Sequence, residues 1–216
     1  MTVHISQRHD SAVKQVSGEA VYIDDIPEPQ GTLHAYIIQS SHAHAEILSA
    51  DLSEVVNKKG VVTVVTPDDI PGERDISCSH AGDEPVFAER YVHFAGQALF
   101  AVIADSMEAA RRAAQFARIQ YKELPAILTI DQAMEQKSFI QPPRRVRRGD
   151  PDKALAQSPH RLKGRISTGG QDHFYLESQI SLAQPGEDGE VLIYASTQNP
   201  SEIQNVCARV LNLSDA

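Results

Sequence analysis

The run from Asp105 to Ala117 constrains this fold more than any other stretch of the chain. Alanines at 109, 110, 113, 114 and 117 recur at helical spacing and form a narrow face of small residues. Such a face lets a helix approach a sheet closely, with Met107 and Phe116 expected to fill the gaps beside it. Asp105 followed by Glu108 has the pattern of a capping box and is expected to start the helix.

The strands for that sheet are legible around it. Residues 31–40 are apolar and partly β-branched, which predicts a buried strand. Residues 45–51 alternate as a half-buried strand does, and 51–56 follow as a short helix with Asp51 or Ser53 near its cap. The run 60–66 is strongly β-forming and ends at Pro67. A strand over 92–103 is broken by Gly96, and 119–124 form another, stopped by Pro125. Residues before Lys14 are polar and expected to be loose. Strands and helices mix irregularly, so the fold class is α+β.

Beyond Pro125 the texture changes. Residues 141–152 are basic, polar and rich in proline, which marks a connector, with a domain boundary between Pro125 and Arg161. A short helix over 154–156 is expected after the turn at Gly149. Residues 161–183 read as extended chain, 185–189 as a turn and 190–196 as a strand. Asn199, Pro200 and Glu202 then open a last helix as cap, first and third residue. Its stripe of Ile203, Val206, Val210 and Leu211 needs a partner to cover it.

Composition excludes several function classes. The formal net charge of −9 argues against nucleic acid as a partner, since counterion replacement needs a basic face. Arg144, Arg145, Arg147 and Arg148 are read as a solvated loop. Cys78 and Cys207 are the only cysteines, which favours a reduced, cytoplasmic setting over a disulfide scaffold. Neither an apolar leader nor a run long enough to span a membrane is apparent.

Few constellations carry chemistry. His42 and His44, with His34 upstream, share the geometry of a metal pair on a strand but lack a third ligand cluster. Asp24 with Asp25, and Asp68 with Asp69, stand beside prolines and suit turns. Cys78 lies two residues before His80, yet no glycine-rich oxyanion turn accompanies it. The segment Gly169-Gly170-Gln171-Asp172-His173-Phe174-Tyr175-Leu176-Glu177 is the exception. Paired glycines permit close backbone approach, and an uncharged amide both donates and accepts hydrogen bonds, as contact with an oxo group requires.

Several segments, in order, resemble the molybdenum-binding subunit of the molybdenum hydroxylases, the aldehyde oxidase and xanthine dehydrogenase family. They are residues 16–27, 41–47, 60–72, 83–86, 92–98, the alanine helix and 169–177, whose wording is closer to xanthine dehydrogenases than to carbon monoxide dehydrogenases. The resemblance implies a loose N-terminus over 1–15, an α/β-hammerhead domain over 16–125, a connector over 126–160, and the incomplete start of a molybdopterin-binding domain over 161–216. It implies that Gln171 hydrogen-bonds an oxygen ligand of molybdenum and that Gly170 lets the backbone approach the cofactor. His173, Tyr175 and Glu177 match recurring positions and are read as packing and supporting residues. The implied reaction is hydroxylation of hypoxanthine, xanthine or an aldehyde, with oxygen from water.

The family's catalytic glutamate and substrate-orienting residues belong to sequence beyond this chain, so no catalytic residue is assigned. The [2Fe-2S] clusters and FAD are expected on other subunits or domains. The expected partners are the remainder of the molybdenum subunit, the iron-sulfur/FAD subunit and, in the full enzyme, a purine, with neither nucleic acid nor membrane. The chain is therefore expected to be a fragment of such an enzyme, inactive by itself. A non-catalytic hammerhead interaction module and a small metal-binding protein using His34, His42 and His44 are the competing readings.

Overall fold

A computed structural model describes residues 4–78 and 81–215. The chain divides into two compact units, one running up to Pro125 and resuming at Glu177, the other spanning Ala126–Leu176.

In the first unit, α1 (Ala12–Ser17) ends at Gly18, whose left-handed backbone closes it. A helical turn therefore occupies part of the tail that the sequence suggests is loose. Two three-stranded antiparallel sheets follow. One places β5 (Ala98–Ala104) between β1 (His34–Gln39) and β3 (Val61–Val65). The other places β2 (Ala45–Asp51) between β4 (Tyr91–Val92) and β6 (Arg118–Glu123).

The central strand β5 is covered on both faces: Leu99, Phe100, Ala101, Val102 and Ala104 are all buried. On β1 only alternate residues are partly covered, and Ile37 is 51% exposed. The buried strand expected over 31–40 is thus a half-buried one, because β1 is an edge strand with one face in water.

Between β2 and β3 lies α2 (Ser53–Val56), where the Asp51 carboxylate accepts from the Ser53 N–H at 3.0 Å. The alanine helix is α3 (Met107–Ala114), packed on β1 and β5. Ala109, Ala110, Ala113 and Ala114 are buried, so the small-residue face does meet the sheet. Ser106 caps the helix in place of Asp105; its backbone is extended and its hydroxyl accepts from the Ala109 N–H. Met107 and Phe116 do not fill gaps. They lie off the alanine face, about two-fifths exposed, and Phe116 takes the Lys58 ammonium 3.3 Å above its ring.

Gly60 shows why the approach is so close. Its φ is +87°, and a Cβ there would stand 2.7 Å from an Asp105 carboxylate oxygen and 3.1 Å from the Ala109 Cβ. Val55, Ala88 and Val92 complete the core cluster, with Tyr36, Ile38, Ile47, Leu52 and Tyr121 around it.

The second unit holds α4 (Ile130–Glu135) and α5 (Pro151–Gln157). The hydroxyl of Thr129 accepts from the Gln132 N–H, and Gln132 accepts in return from the Thr129 N–H, a reciprocal cap that starts α4. Asp150 caps α5, and Pro151 occupies its first position.

The chain rejoins the first unit as a two-stranded ribbon, β7 (Ser181–Pro185) with β8 (Val191–Ala195), followed by α6 (Pro200–Leu211). Asn199 caps α6 by accepting from the Glu202 N–H, and Pro200 is its first residue, as the sequence predicts.

Candidate functional site

Residues 169–177 form no helix or strand, and 169–176 are exposed. Nothing lies within 4 Å of where a Cβ would stand on Gly169 or Gly170. The glycine pair is therefore open to approach from outside. Gln171 is exposed beside it, with its amide directed at no hydrogen-bonding partner among the described residues.

Two residues further on, the Asp172 carboxylate accepts from the Phe174 N–H at 2.8 Å, which tightens the chain into an Asx turn. That turn forces Phe174 to a φ of +48°, a left-handed conformation that costs a bulky residue about 1–3 kcal/mol. Its ring is 93% exposed and gains no burial in exchange. The sequence carries no hint of this strained turn beyond the Asp two residues earlier.

Glu177, by contrast, is half-buried and anchored. Its carboxylate accepts from the Ile23 N–H at 2.7 Å, at the start of the 3-10 turn Ile23–Asp25. Asp25 of that turn accepts from the Tyr22 N–H at 2.9 Å, so the Asp24-Asp25 pair serves as turn chemistry. Downstream of Glu177, Ser196 donates from its hydroxyl to the Ser178 carbonyl at 2.8 Å.

The histidines lead elsewhere. His42 and His44 precede β2 rather than lying on it. His42 stacks on Tyr121 with ring centroids 4.3 Å apart and stands 3.6 Å from the Glu123 carboxylate. His44 has Nδ1 2.7 Å from the Pro125 carbonyl oxygen, and His34 reaches Glu28 at 4.0 Å. Among the described residues no group of three or more His, Cys, Asp or Glu is arranged to hold a metal. Asp68 pairs with Arg74 at 3.2 Å, and Asp69 accepts from both the N–H and the hydroxyl of Thr66, which holds its carboxyl below the usual range.

The Cys78 thiol donates to the Glu202 carboxylate, and that contact pushes its pKa up, away from a reactive thiolate. Ser79 and His80, the other members of that motif, lie outside the described residues. Arg144, Arg145, Arg147 and Arg148 are exposed, with Arg147 paired to Asp152. An open groove between β8 and α6 is lined by Leu192, Ile193, Ile203, Cys207 and Leu211, with Asp188, Glu190 and Asp215 also in its lining. Among the described residues no helix is long and apolar enough to cross a membrane.

Comparison with known proteins bears on what this open segment is for. Residues 17–125 match the family model of the aldehyde oxidase and xanthine dehydrogenase a/b hammerhead domain, and residues 132–216 match that of the molybdopterin cofactor-binding domain. The chain is 46% identical over 206 residues to xanthine dehydrogenase/oxidase of Gallus gallus, and 42% identical over 208 residues to aldehyde oxidase 1 of Rattus norvegicus. Each alignment takes in 95% of this chain but only 15% of the relative. Aldehyde oxidoreductase from Desulfovibrio gigas superposes with a TM-score of 0.82 at 26% identity, over 95% of this chain and 25% of that one. A hammerhead domain followed by the start of a molybdenum cofactor-binding domain is thus what the sequence folds into, and the chain belongs to the aldehyde oxidase and xanthine dehydrogenase family of molybdenum hydroxylases.

Proposed function

We propose that this chain supplies the hammerhead and one molybdopterin contact of a cytoplasmic xanthine dehydrogenase, with hypoxanthine or xanthine as substrate. The observation that carries the reading is the open Gly169-Gly170-Gln171 segment, within a chain 46% identical to a xanthine dehydrogenase/oxidase.

The donor set fits the cofactor's chemistry. Gln171 offers an uncharged amide that would donate a hydrogen bond to an oxygen ligand of molybdenum without altering the charge at the metal. Gly170 presents backbone without a side chain in the way. The chemistry the cofactor supplies when bound is transfer of water-derived oxygen to carbon, with two electrons removed. Within the chain, Gln171 would orient the bound group, and the glycine pair beside it leaves the approach open. We assign no residue of this chain the role of abstracting a proton from a substrate, and the chain alone is expected to turn over no purine. Its partners in this reading are the remainder of the molybdenum subunit and the [2Fe-2S] and FAD modules that accept the electrons.

A second reading, an aldehyde as substrate, is favoured by the 42% identity to an aldehyde oxidase. Relative kcat/KM for hypoxanthine and for an aromatic aldehyde, measured on the full-length enzyme, separates the two.

The role of Gln171 is tested in the same enzyme. Gln171→Ala is expected to lower molybdenum content or turnover by about 10–100-fold, the usual effect of losing a partner that orients a metal centre. The melting of the hammerhead should stay unchanged. Full activity in that variant would remove Gln171 from the cofactor site.

A further inference from the structure

The segment of the chain that matches the cofactor-binding family model is fastened to the hammerhead at two points, and both fastenings are built from groups with few alternatives.

The first is Glu177. It closes the glycine-glutamine segment, and its carboxylate takes the Ile23 N–H, the leading donor of a 3-10 turn that no intrahelical carbonyl satisfies. The second is a strap of hammerhead residues, 72–78, laid antiparallel along α6. At one end, Gly72 and Glu73 donate their N–H groups to the carbonyls of Val210 and Arg209 at 3.0 and 2.9 Å. These are among the last four carbonyls of the helix, which the regular helical ladder leaves short of donors; that of Arg209 also accepts from the Asn212 N–H that caps the helix.

A Cβ on Gly72 would stand 2.0 Å from the Arg209 carbonyl oxygen, so only glycine permits this approach. The Arg209 guanidinium reaches back over the strap to the carbonyls of Ser77 and Asp75 at 3.3 and 3.4 Å, and to the Glu73 carboxylate at 3.5 Å. Seven residues earlier, on the same side of the helix, Glu202 accepts from Cys78.

The strap is itself stiffened. The Asp75 carboxylate accepts from the hydroxyl and N–H of Ser77 and from the N–H groups of Gly82 and Glu84.

We propose that the hammerhead serves as a jig for the cofactor-binding segment, with Glu177 as the near clamp beside the Gln171 segment and the 72–78 strap on α6 as the far clamp. Glu177 and Arg209 are then positioning residues. The consequence of the near clamp for molybdenum rests on the reading of Gln171 as a cofactor contact; the clamps themselves do not.

Hydrogen-exchange mass spectrometry on the 216-residue chain tests the clamps without cofactor. Arg209→Met and Gly72→Ala should each raise exchange in residues 203–211 about tenfold, with β5 unchanged. Glu177→Ala should do the same for residues 22–26, where the Ile23 N–H loses its acceptor, and Glu177→Gln, which keeps the acceptor oxygen, should restore protection. If Gly72→Ala also loosens β5, Arg209→Met decides. Unchanged exchange in α6 with Arg209→Met, or in residues 22–26 with Glu177→Ala, overturns the proposal. In the full-length enzyme, molybdenum content should fall with Glu177→Ala and recover with Glu177→Gln. If Gln171→Ala leaves that content unchanged, the cofactor reading fails while the exchange result still judges the clamps.

Discussion

Residues 98–114 and residues 126–176 follow opposite physical rules within one chain. The first stretch makes its own interior: β5 is covered on both faces, and α3 lays four alanines against the sheet. The second contains two capped helices but not one buried residue, and Val146, Leu162, Ile166 and Phe174 are each at least 92% exposed. It is also basic, with nine Lys and Arg against five Asp and Glu, in a chain whose formal net charge is −9. Side chains such as Leu162 gain about 1.5–3 kcal/mol each when fully buried. The difference teaches that local helix signals do not make a core. A stretch can carry good caps and still depend on surfaces from elsewhere for its stability.

Truncating a side chain in each region should break this comparison if it is wrong. Phe100→Ala should cost about 3–5 kcal/mol of hammerhead stability in thermal or urea unfolding, because Phe100 is 2% exposed in the core cluster. Leu162→Ala in the same chain should change it by less than about 0.5 kcal/mol, as for any exposed site. Equal losses would mean that 126–176 shares the hammerhead's core.

A smaller effect tests the helix start. Ser106→Ala should cost about 1 kcal/mol, whereas Asp105→Ala should leave the α3 cap intact, since only Ser106 accepts from the Ala109 N–H.

The mildest effect is on pH. The hydroxyl of Ser77 beside Asp75, helped by three backbone N–H groups, holds the Asp75 carboxyl below its usual range, against a partial opposing effect of desolvation. A depressed value in the folded state means stability that is present above the unfolded value of about 3.9 and lost as pH falls through the folded one. Exchange in residues 75–84 should therefore stay low to about pH 4 and rise only below it, and Asp75→Ala should remove that acid step.

How much of this was legible depends on whether the signal is local. The alanine face of α3, the β-rich run at 61–65 and the Asn199-Pro200 start of α6 are local patterns, and each fixes its element. The choice of Ser106 over Asp105 is not, because both residues can cap and only the backbone angle at 106 decides. Thr129 and Gln132 carry a readable cap, but the helix it starts is only six residues long.

For the candidate site, the glycine-amide composition pointed to residues 169–177, but the fastening of Glu177 to Ile23 spans 154 positions. No spacing rule reaches that far. The same holds for Gly72, whose need for glycine comes from the end of α6 laid against it.

The ribbon of β7 and β8 has a consequence for the chain as a material. Among the described residues no third strand pairs with either member, so each outer side displays a row of free N–H and C=O groups. β8 reads Val-Leu-Ile-Tyr-Ala, with neither the lysine nor the proline that blunts an exposed edge. A ribbon of that kind is a template for any extended segment it meets, other copies of itself included. Whichever strand arrives first, the proper neighbour or a stray one, decides between assembly and aggregation.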